Sequence, residues 1–392
     1  MTTTHDALPP QPPLGDEHEA GGPGSRPPSP RLVTWGVPIA VAVVLLVLFV
    51  FVSSALGLAG FAVILIAGIL YFASWRKLLQ LVIVLLLVTF FAASLIRVLP
   101  GAPEEVMIPF GSDEQRAELR DELGLNDTIF AQYAHWLSDF VTGDFGSYYQ
   151  ADSAGARGTP VTEVISQALP VSLQLIIYAQ LLALIFAIPF GIFAAYKYGT
   201  WFDKSSSVIA FLMLAIPNFV VAYLLIYYFA VQRDIFPSQG YVYFGESVGE
   251  HFKSMFLPAV SLAIGQIAIY MRLLRSDMVQ TLQEDFITMA RAKGLSTRRI
   301  LLKHALRPSS FSLLTVAAIN FGALIGGAVI IEVIFQLPGL GLRIFQAINQ
   351  RQYEALQAFV AVIAIAYVLV NVIVDLLYSV LDPRIRYGRS SN

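Results

Sequence analysis

Asp285 to Arg307 reads DFITMARAKGLSTRRILLKHALR and lies between two hydrophobic runs, each long enough to cross a bilayer. Arg291, Lys293, Arg298, Arg299, Lys303 and Arg307 place six cations within seventeen residues, and no acid follows Asp285 until Glu332. A short basic loop between spans belongs on the cytoplasmic side of a membrane. Leu282, Phe286, Met289 and Ala290 recur at helical spacing and predict one apolar stripe. Gly294 stands where a helix would end in a left-handed turn, and Ser296 offers a side-chain oxygen to cap a helix beginning at Thr297. Pro308 is expected to close that second helix. The stretch thus reads as two short helices bent at Gly294.

Two other readings fit part of this pattern. Gly294-x-Ser296 followed by Ile300 also suits a helix-turn-helix, whose cations would meet DNA phosphates. A DNA-reading head, however, needs a linker to leave the membrane, and here spans press on both sides. Ordinary positive-inside charge explains the sign but not the Gly-Ser break.

Of the 392 residues 56% are hydrophobic and 13% are charged, and the mean hydropathy is +0.67, values of an integral membrane protein, whose apolar runs of span length are expected to make it all-α. The net charge of −2 selects no partner, and the absence of cysteine excludes disulfides, thiolate metal sites and a cysteine nucleophile. Residues 1–33 form a Pro-rich tail, with eight prolines in the first thirty residues, and are expected to be disordered. Residues 34–75 are apolar for about forty residues, enough for a hairpin of two spans at roughly 20 residues each. The next span occupies 76–99, and 100–168 is polar enough to be an extracytoplasmic domain. Further spans are expected at about 170–195, 206–231, 257–276, 311–335 and 355–380 within a core of 169–381, whose cytoplasmic loop covers 277–309, before a tail of 382–392. This places both termini in the cytoplasm, with seventeen Lys and Arg inside and eight outside.

The run Ala290-Arg-Ala-Lys-Gly-Leu-Ser296, followed by Lys303-His-Ala-Leu-Arg-Pro308, resembles the cytoplasmic coupling loop, or EAA loop, of ABC-importer permeases, and specifically the dipeptide, oligopeptide and nickel class. Arg97-Val-Leu-Pro-Gly101, Leu123-Gly-Leu-Asn126, Gly143-Asp-Phe-Gly146, Glu332-Val-Ile-Phe335, Pro338-Gly-Leu-Gly341 and Asp382-Pro-Arg-Ile-Arg386 extend the resemblance over about residues 76–387. Thr288 stands where the loop's leading acid would be, Ala102 follows Pro-Gly where Asp is common, and residues 1–75 lie outside the six-span pattern. The resemblance implies a six-span permease core with an added N-terminal hairpin in the cytoplasmic (inner) membrane. It also implies a second homologous permease, two ABC ATPase subunits carrying ATP and Mg, and an extracytoplasmic substrate-binding protein. The expected cargo is a short peptide, with nickel or oligosaccharides as alternatives. Ala290, Arg291, Ala292, Lys293, Gly294, Leu295, Ser296, His304 and Leu306 would then be the ATPase-coupling residues.

Little else carries chemistry. Gly245-Glu-Ser247-Val-Gly249 matches a nucleophile elbow with His251 close by, but about 25 residues between spans cannot build the sheet that holds one. No phosphate loop of the Gly-x4-Gly-Lys-Ser/Thr type occurs, the five histidines show no metal spacing, and so no catalytic residue, cofactor or metal is assigned to this chain. Asn218, Gln266, Asn320, Asn371 and Asp375 are polar groups inside spans, where each must face protein or water, as bundle contacts or as the lining of a pathway. Glu332 is expected near the outer end of its span, in solvent, and Gly322, Gly326 and Gly327 are expected to permit close helix contact. A stand-alone channel or secondary transporter would show charged relays or paired broken helices in similar halves, and neither pattern is evident.

Overall fold

The computed structural model describes residues 75–98, 104–105, 112–122, 126–149 and 158–381. The expected tail of 1–33, nearly all of the hairpin of 34–75 and the tail of 382–392 lie outside the described residues. Helix α1 spans Trp75–Val98, α2 spans Asp113–Glu122 and α3 spans Ile129–Thr142. Strands β1 (Ser147–Tyr148) and β2 (Thr159–Pro160) pair antiparallel, Ser147 opposite Pro160 and Tyr148 opposite Thr159. The long helix α4 (Val161–Tyr196) is followed by α5 (Trp201–Ala215), α6 (Asn218–Leu225, prolonged by a π-turn over Ile226–Val231) and α7 (Val248–Thr281). The loop helix α8 (Asp285–Ala292) precedes α9 (Thr297–Phe335), then α10 (Leu340–Asn349) and α11 (Tyr353–Leu381).

Four of these helices are long and apolar enough to cross a membrane, and α5 with α6 qualify as a fifth, bent span. α4 has 36 residues, which at 1.5 Å each make about 54 Å against a hydrocarbon core of about 30 Å, so it projects well past the bilayer. The single span expected over 206–231 is broken: α5 and α6 meet at 97°. The cause is Pro217. A proline has no N–H to continue the helix and drives the preceding residue into an extended conformation, and Ile216 has φ −93° and ψ 120°.

Packing centres on α7, which lies along α4 and touches α5, α6 and α9. Gly191 of α4 makes this approach possible, because a Cβ there would come within 3.1 Å of the Met271 carbonyl oxygen and 3.2 Å of Leu274. Of the three glycines in α9, Gly322 faces the Tyr367 ring and Gly327 faces Leu262 and Asn218, as close contact requires. Gly326 differs: a Cβ there would meet no atom within 4 Å, so it serves no close contact among the described residues. Gly191→Leu is therefore expected to destabilise the bundle by about 1–3 kcal/mol through overpacking. Gly326→Ala should be neutral or stabilising by up to about 1 kcal/mol. Thermal unfolding of the two variants in detergent compares them directly.

On the side away from the α8 loop, α3 holds a ladder of rings from Phe90 of α1 through Tyr133, Trp136 and Phe140 to Phe145. Thr128 caps α3 through its side chain and Gly143 ends it with φ +96°. The β-hairpin docks on the turn between α10 and α11: Ser147 N–H donates to Glu354, the Tyr149 backbone donates to and accepts from the Gln352 side-chain amide, and Tyr148 Oη donates to Gln350. Among its described residues, the expected extracytoplasmic segment is thus helical with one pair of short strands, which are fastened to the start of the last span.

Candidate functional site

The basic loop is built as a bracket. α7 ends at Thr281, whose Oγ1 lies 2.9 Å from Ser309 Oγ of α9, so the two roots of the loop are tied together. Between them, Gly294 has φ +73°, Leu295 N–H donates to the Ala290 carbonyl and Gly294 N–H donates to the Arg291 carbonyl. These are the two bonds of a Schellman end, in which a glycine takes the left-handed position at no steric cost.

The apolar stripe divides differently from the sequence expectation. Ile287 is fully buried and Ala290 nearly so, in a cluster with Tyr270, Leu274, Met278, Ile300 and Ala305, against which Leu282, Leu295 and Leu306 also pack. Phe286 and Met289 point away, 45% and 57% exposed. A helix shows three or four residues per two turns to its support, and that face here runs through Ile287 and Ala290, leaving Phe286 and Met289 on the outer side. Arg291, Ala292, Lys293, Gly294 and Ser296 are exposed and His304 is half-buried. None of the six cations forms an ion pair among the described residues.

Two local expectations are corrected. Ser296 begins the second helix with an extended backbone but its side chain makes no capping bond. Pro308 does not end that helix, which runs to Phe335. A π-turn over Ile300–Ala305 widens the coil just before Pro308, and a wider turn relieves the clash that a proline ring otherwise makes with the preceding turn.

The break at Ile216–Pro217 opens a cavity of about 270 Å³, open on one side where Ile216 and Pro217 are exposed, lined by Asn218, Ser261, Gly265, Gln266, Leu324 and Gly327 among others. Asn218 and Gln266, distant in sequence, share this space, and the buried Oε1 of Gln266 has no hydrogen-bond partner among the described residues. Asn320 lies one turn before this lining on α9, with its Nδ2 buried. Asn371 and Asp375 fall in α11, but their side chains lie outside the described residues.

Glu332 is not in solvent. It is 1% exposed, and its Oε2 accepts the N–H groups of Gly341 at 2.7 Å and Leu342 at 3.2 Å. It therefore supplies an acceptor from α9 to the first N–H groups of α10. The elbow-like motif is also explained: Ser247 accepts the Glu250 N–H as the N-cap of α7, and His251 is buried between the Val242 carbonyl and Tyr178 Oη. In the same loop, burial, then the neighbouring Tyr243 and Glu246, push the Tyr241 hydroxyl up to about 12, so it remains a donor to Gln174 Oε1 at 2.8 Å.

Sequence reasoning missed Asp203 and Arg275. Asp203 of α5 is 3% exposed, bonded through both carboxylate oxygens to the Arg275 guanidinium of α7 and accepting the Gly199 N–H at 3.0 Å. The available signal was that Asp203 is the sole acid between Glu163 and Asp234.

Residues 187–387 match the family model described as binding-protein-dependent transport system inner membrane component, and residues 69–176 match the N-terminal model of such membrane components. A probable peptide ABC transporter permease of Sinorhizobium fredii is 36% identical over 313 residues, covering 80% of this chain and 98% of that protein. A dipeptide transport system permease of Alkalihalophilus pseudofirmus is 34% identical over 333 residues with the same coverage. A glutathione transport system permease of Escherichia coli is 32% identical over 313 residues, again with 80% and 98% covered. A chain matched along both stretches, and aligned with permeases over nearly their whole length, belongs to their family: it is a binding-protein-dependent transport inner membrane component, the permease subunit of an ABC importer.

Proposed function

We propose that this subunit pairs with a second, homologous permease to enclose a path for short peptides, and that two ATPase subunits holding ATP and Mg grip the loop of residues 285–307 from the cytoplasm. The observation that carries the reading is α8 itself. It is anchored by Ile287 and Ala290, closed at Gly294, and presents Phe286 and Met289 beside the cations of the loop. Apolar side chains held rigid within a charged surface mark a protein contact, since lipid cannot cover them there. The peptide cargo rests on the relatives, which are called peptide, dipeptide and glutathione permeases.

The remaining assignments follow from this orientation. Both termini face the cytoplasm of a cell with this protein in its inner membrane, and the α2–α3 and β-hairpin segment takes the substrate-binding protein. Asn218 and Gln266 border the path, where the unpartnered Oε1 of Gln266 can accept a peptide N–H of the cargo. Closure of the ATPases moves α8 and through it the spans. The test is purification of the tagged chain from its native membrane in mild detergent. Two ATPase subunits and a second permease are expected by mass spectrometry, with ATP hydrolysis stimulated by the binding protein loaded with a short peptide. A preparation free of ATPases that still moves peptide into vesicles would overturn the reading.

A further inference from the structure

The α8 bracket and the broken span are separate in sequence, and a pair of charged residues joins them. We infer that the Asp203–Arg275 pair is the joint through which motion of the α8 loop reaches the break at Ile216–Pro217, with Asp203 a positioning residue for opening the cavity there. The inference rests on the coupling role proposed above.

Arg275 lies six residues before the end of α7 at Thr281, so it sits on the rigid stem from which the loop hangs. Its guanidinium holds both oxygens of Asp203, with Nη2 at 2.8 Å from Oδ2, and a planar fork of this kind fixes orientation as well as distance. The Arg275 guanidinium also lies 5.5 Å from the Tyr198 ring centre, and Arg272 lies 4.2 Å from that of Phe211 on α5, so one face of the stem is fastened at three places to α5 and the turn before it. The hydroxyls of Ser206 and Ser207 both donate to the Asp203 carbonyl, which stiffens the first turn of α5. From Asp203 to Ile216 the helix covers thirteen residues, about 20 Å of continuous lever at 1.5 Å per residue. Its far end is the wall of the cavity that holds Asn218.

A packing role alone does not account for the charge. An ion pair with one partner buried and the other half-buried stabilises little compared with apolar residues of the same volume, whereas it specifies one arrangement of two elements. Between α5 and α7 that arrangement is what a moving loop would need to transmit.

The chain's lack of cysteine makes the test clean. Gly265 lines the cavity and has no atom within 4 Å of a Cβ, so Gly265→Cys introduces a single labelling site there without a clash. In the intact complex purified from membranes, the rate of maleimide labelling on this chain is measured without nucleotide and after trapping with MgATP and vanadate. Trapping is expected to change the rate by about fivefold or more, a shift between two populated states. In Asp203→Asn with Gly265→Cys, the change should shrink to less than about twofold while the ATPases remain bound and hydrolyse ATP, because the two-pronged bond that orients the stem against α5 is reduced to a single acceptor. Arg275→Lys, which keeps the charge but not the fork, should fall between the two.

A full nucleotide response in Asp203→Asn overturns the joint, as does loss of the ATPases from that variant, which would make the pair a matter of assembly. No response in Gly265→Cys alone, with active ATPases attached, overturns it too. Absence of ATPases from the Gly265→Cys complex would instead strike at the coupling reading on which the joint depends.

Discussion

Replacing Phe286 and Met289 together by aspartate is expected to strip the ATPase subunits from the purified complex while leaving the membrane bundle folded. The two side chains are 45% and 57% exposed in the chain by itself, so the new carboxylates stay hydrated and the fold loses little, within about 0.5 kcal/mol for each surface change. At an interface the same side chains would be the apolar anchors, and truncating an anchor of that kind costs about 2 kcal/mol or more. Two together amount to about 4 kcal/mol, close to a thousandfold in affinity. Aspartate adds the burden of burying a charge against the partner. The measurement is the ratio of ATPase to permease after affinity purification, alongside the thermal unfolding of the permease. Ile287→Asp is the informative contrast, because Ile287 is fully buried and its loss should release α8 from the bundle and lower the unfolding temperature as well. If the double variant retains its ATPases in full ratio, α8 is not what they hold.

The division of α8 into an anchored and a presented face shows where the sequence was legible and where it was not. The existence of the helix, its end at Gly294 and its place between two spans were written in spacing, in a glycine and in the sign of the charge, all of which are local signals. Which apolar residues turn inward was not local. Ile287 and Phe286 are adjacent and similarly apolar, and only the position of Met278, Ile300 and Ala305 across the loop decides between them. The same holds for the spans. Length and hydropathy located the helices of the core to within a turn or two for α11, but the extensions of α4 and α7 past the bilayer continue a helix through polar residues that hydropathy gives to loops.

Pro217 was in view, and its effect on Ile216 follows from backbone sterics, yet a 97° turn inside a membrane also requires protein on both sides to receive the freed backbone groups. That support comes from α7 and α9, distant in sequence. Polar residues were the least legible class. Asn218 and Gln266 were singled out for lying in spans, and the fold brings them to one cavity, while Glu332 was placed in solvent because it is near a helix end. An acid at the end of one helix can serve the start of another, and only the return of the chain through Leu337 and Pro338 reveals it.

That return supplies the second large effect. Glu332→Leu is expected to destabilise the protein by about 3–5 kcal/mol. Leucine fills similar space but leaves the N–H groups of Gly341 and Leu342 buried without an acceptor, at about 1–3 kcal/mol each. Glu332→Gln keeps a carbonyl oxygen able to occupy the Oε2 position, so it should cost about 1 kcal/mol or less. No larger side chain can rescue the site from the other direction, since a Cβ on Gly339 or Gly341 would collide with the Glu332 carboxylate, and on Gly341 also with the backbone of Val329.

The damage should spread in a defined direction. α10 is held at its start by Glu332 and by Ser172, which accepts the Leu340 N–H at 2.9 Å, and at its end it leads into the Gln350–Glu354 turn that carries the β-hairpin. Hydrogen exchange should therefore accelerate from Leu340 through Gln352 and in the hairpin, with α8 and its anchors unaffected at the other end of the bundle. Equal unfolding temperatures for the Leu and Gln variants would show that the two backbone bonds are not what Glu332 contributes. Exchange that rises first in α8 would show that the two ends of the bundle are not independent in the way their separate clusters imply.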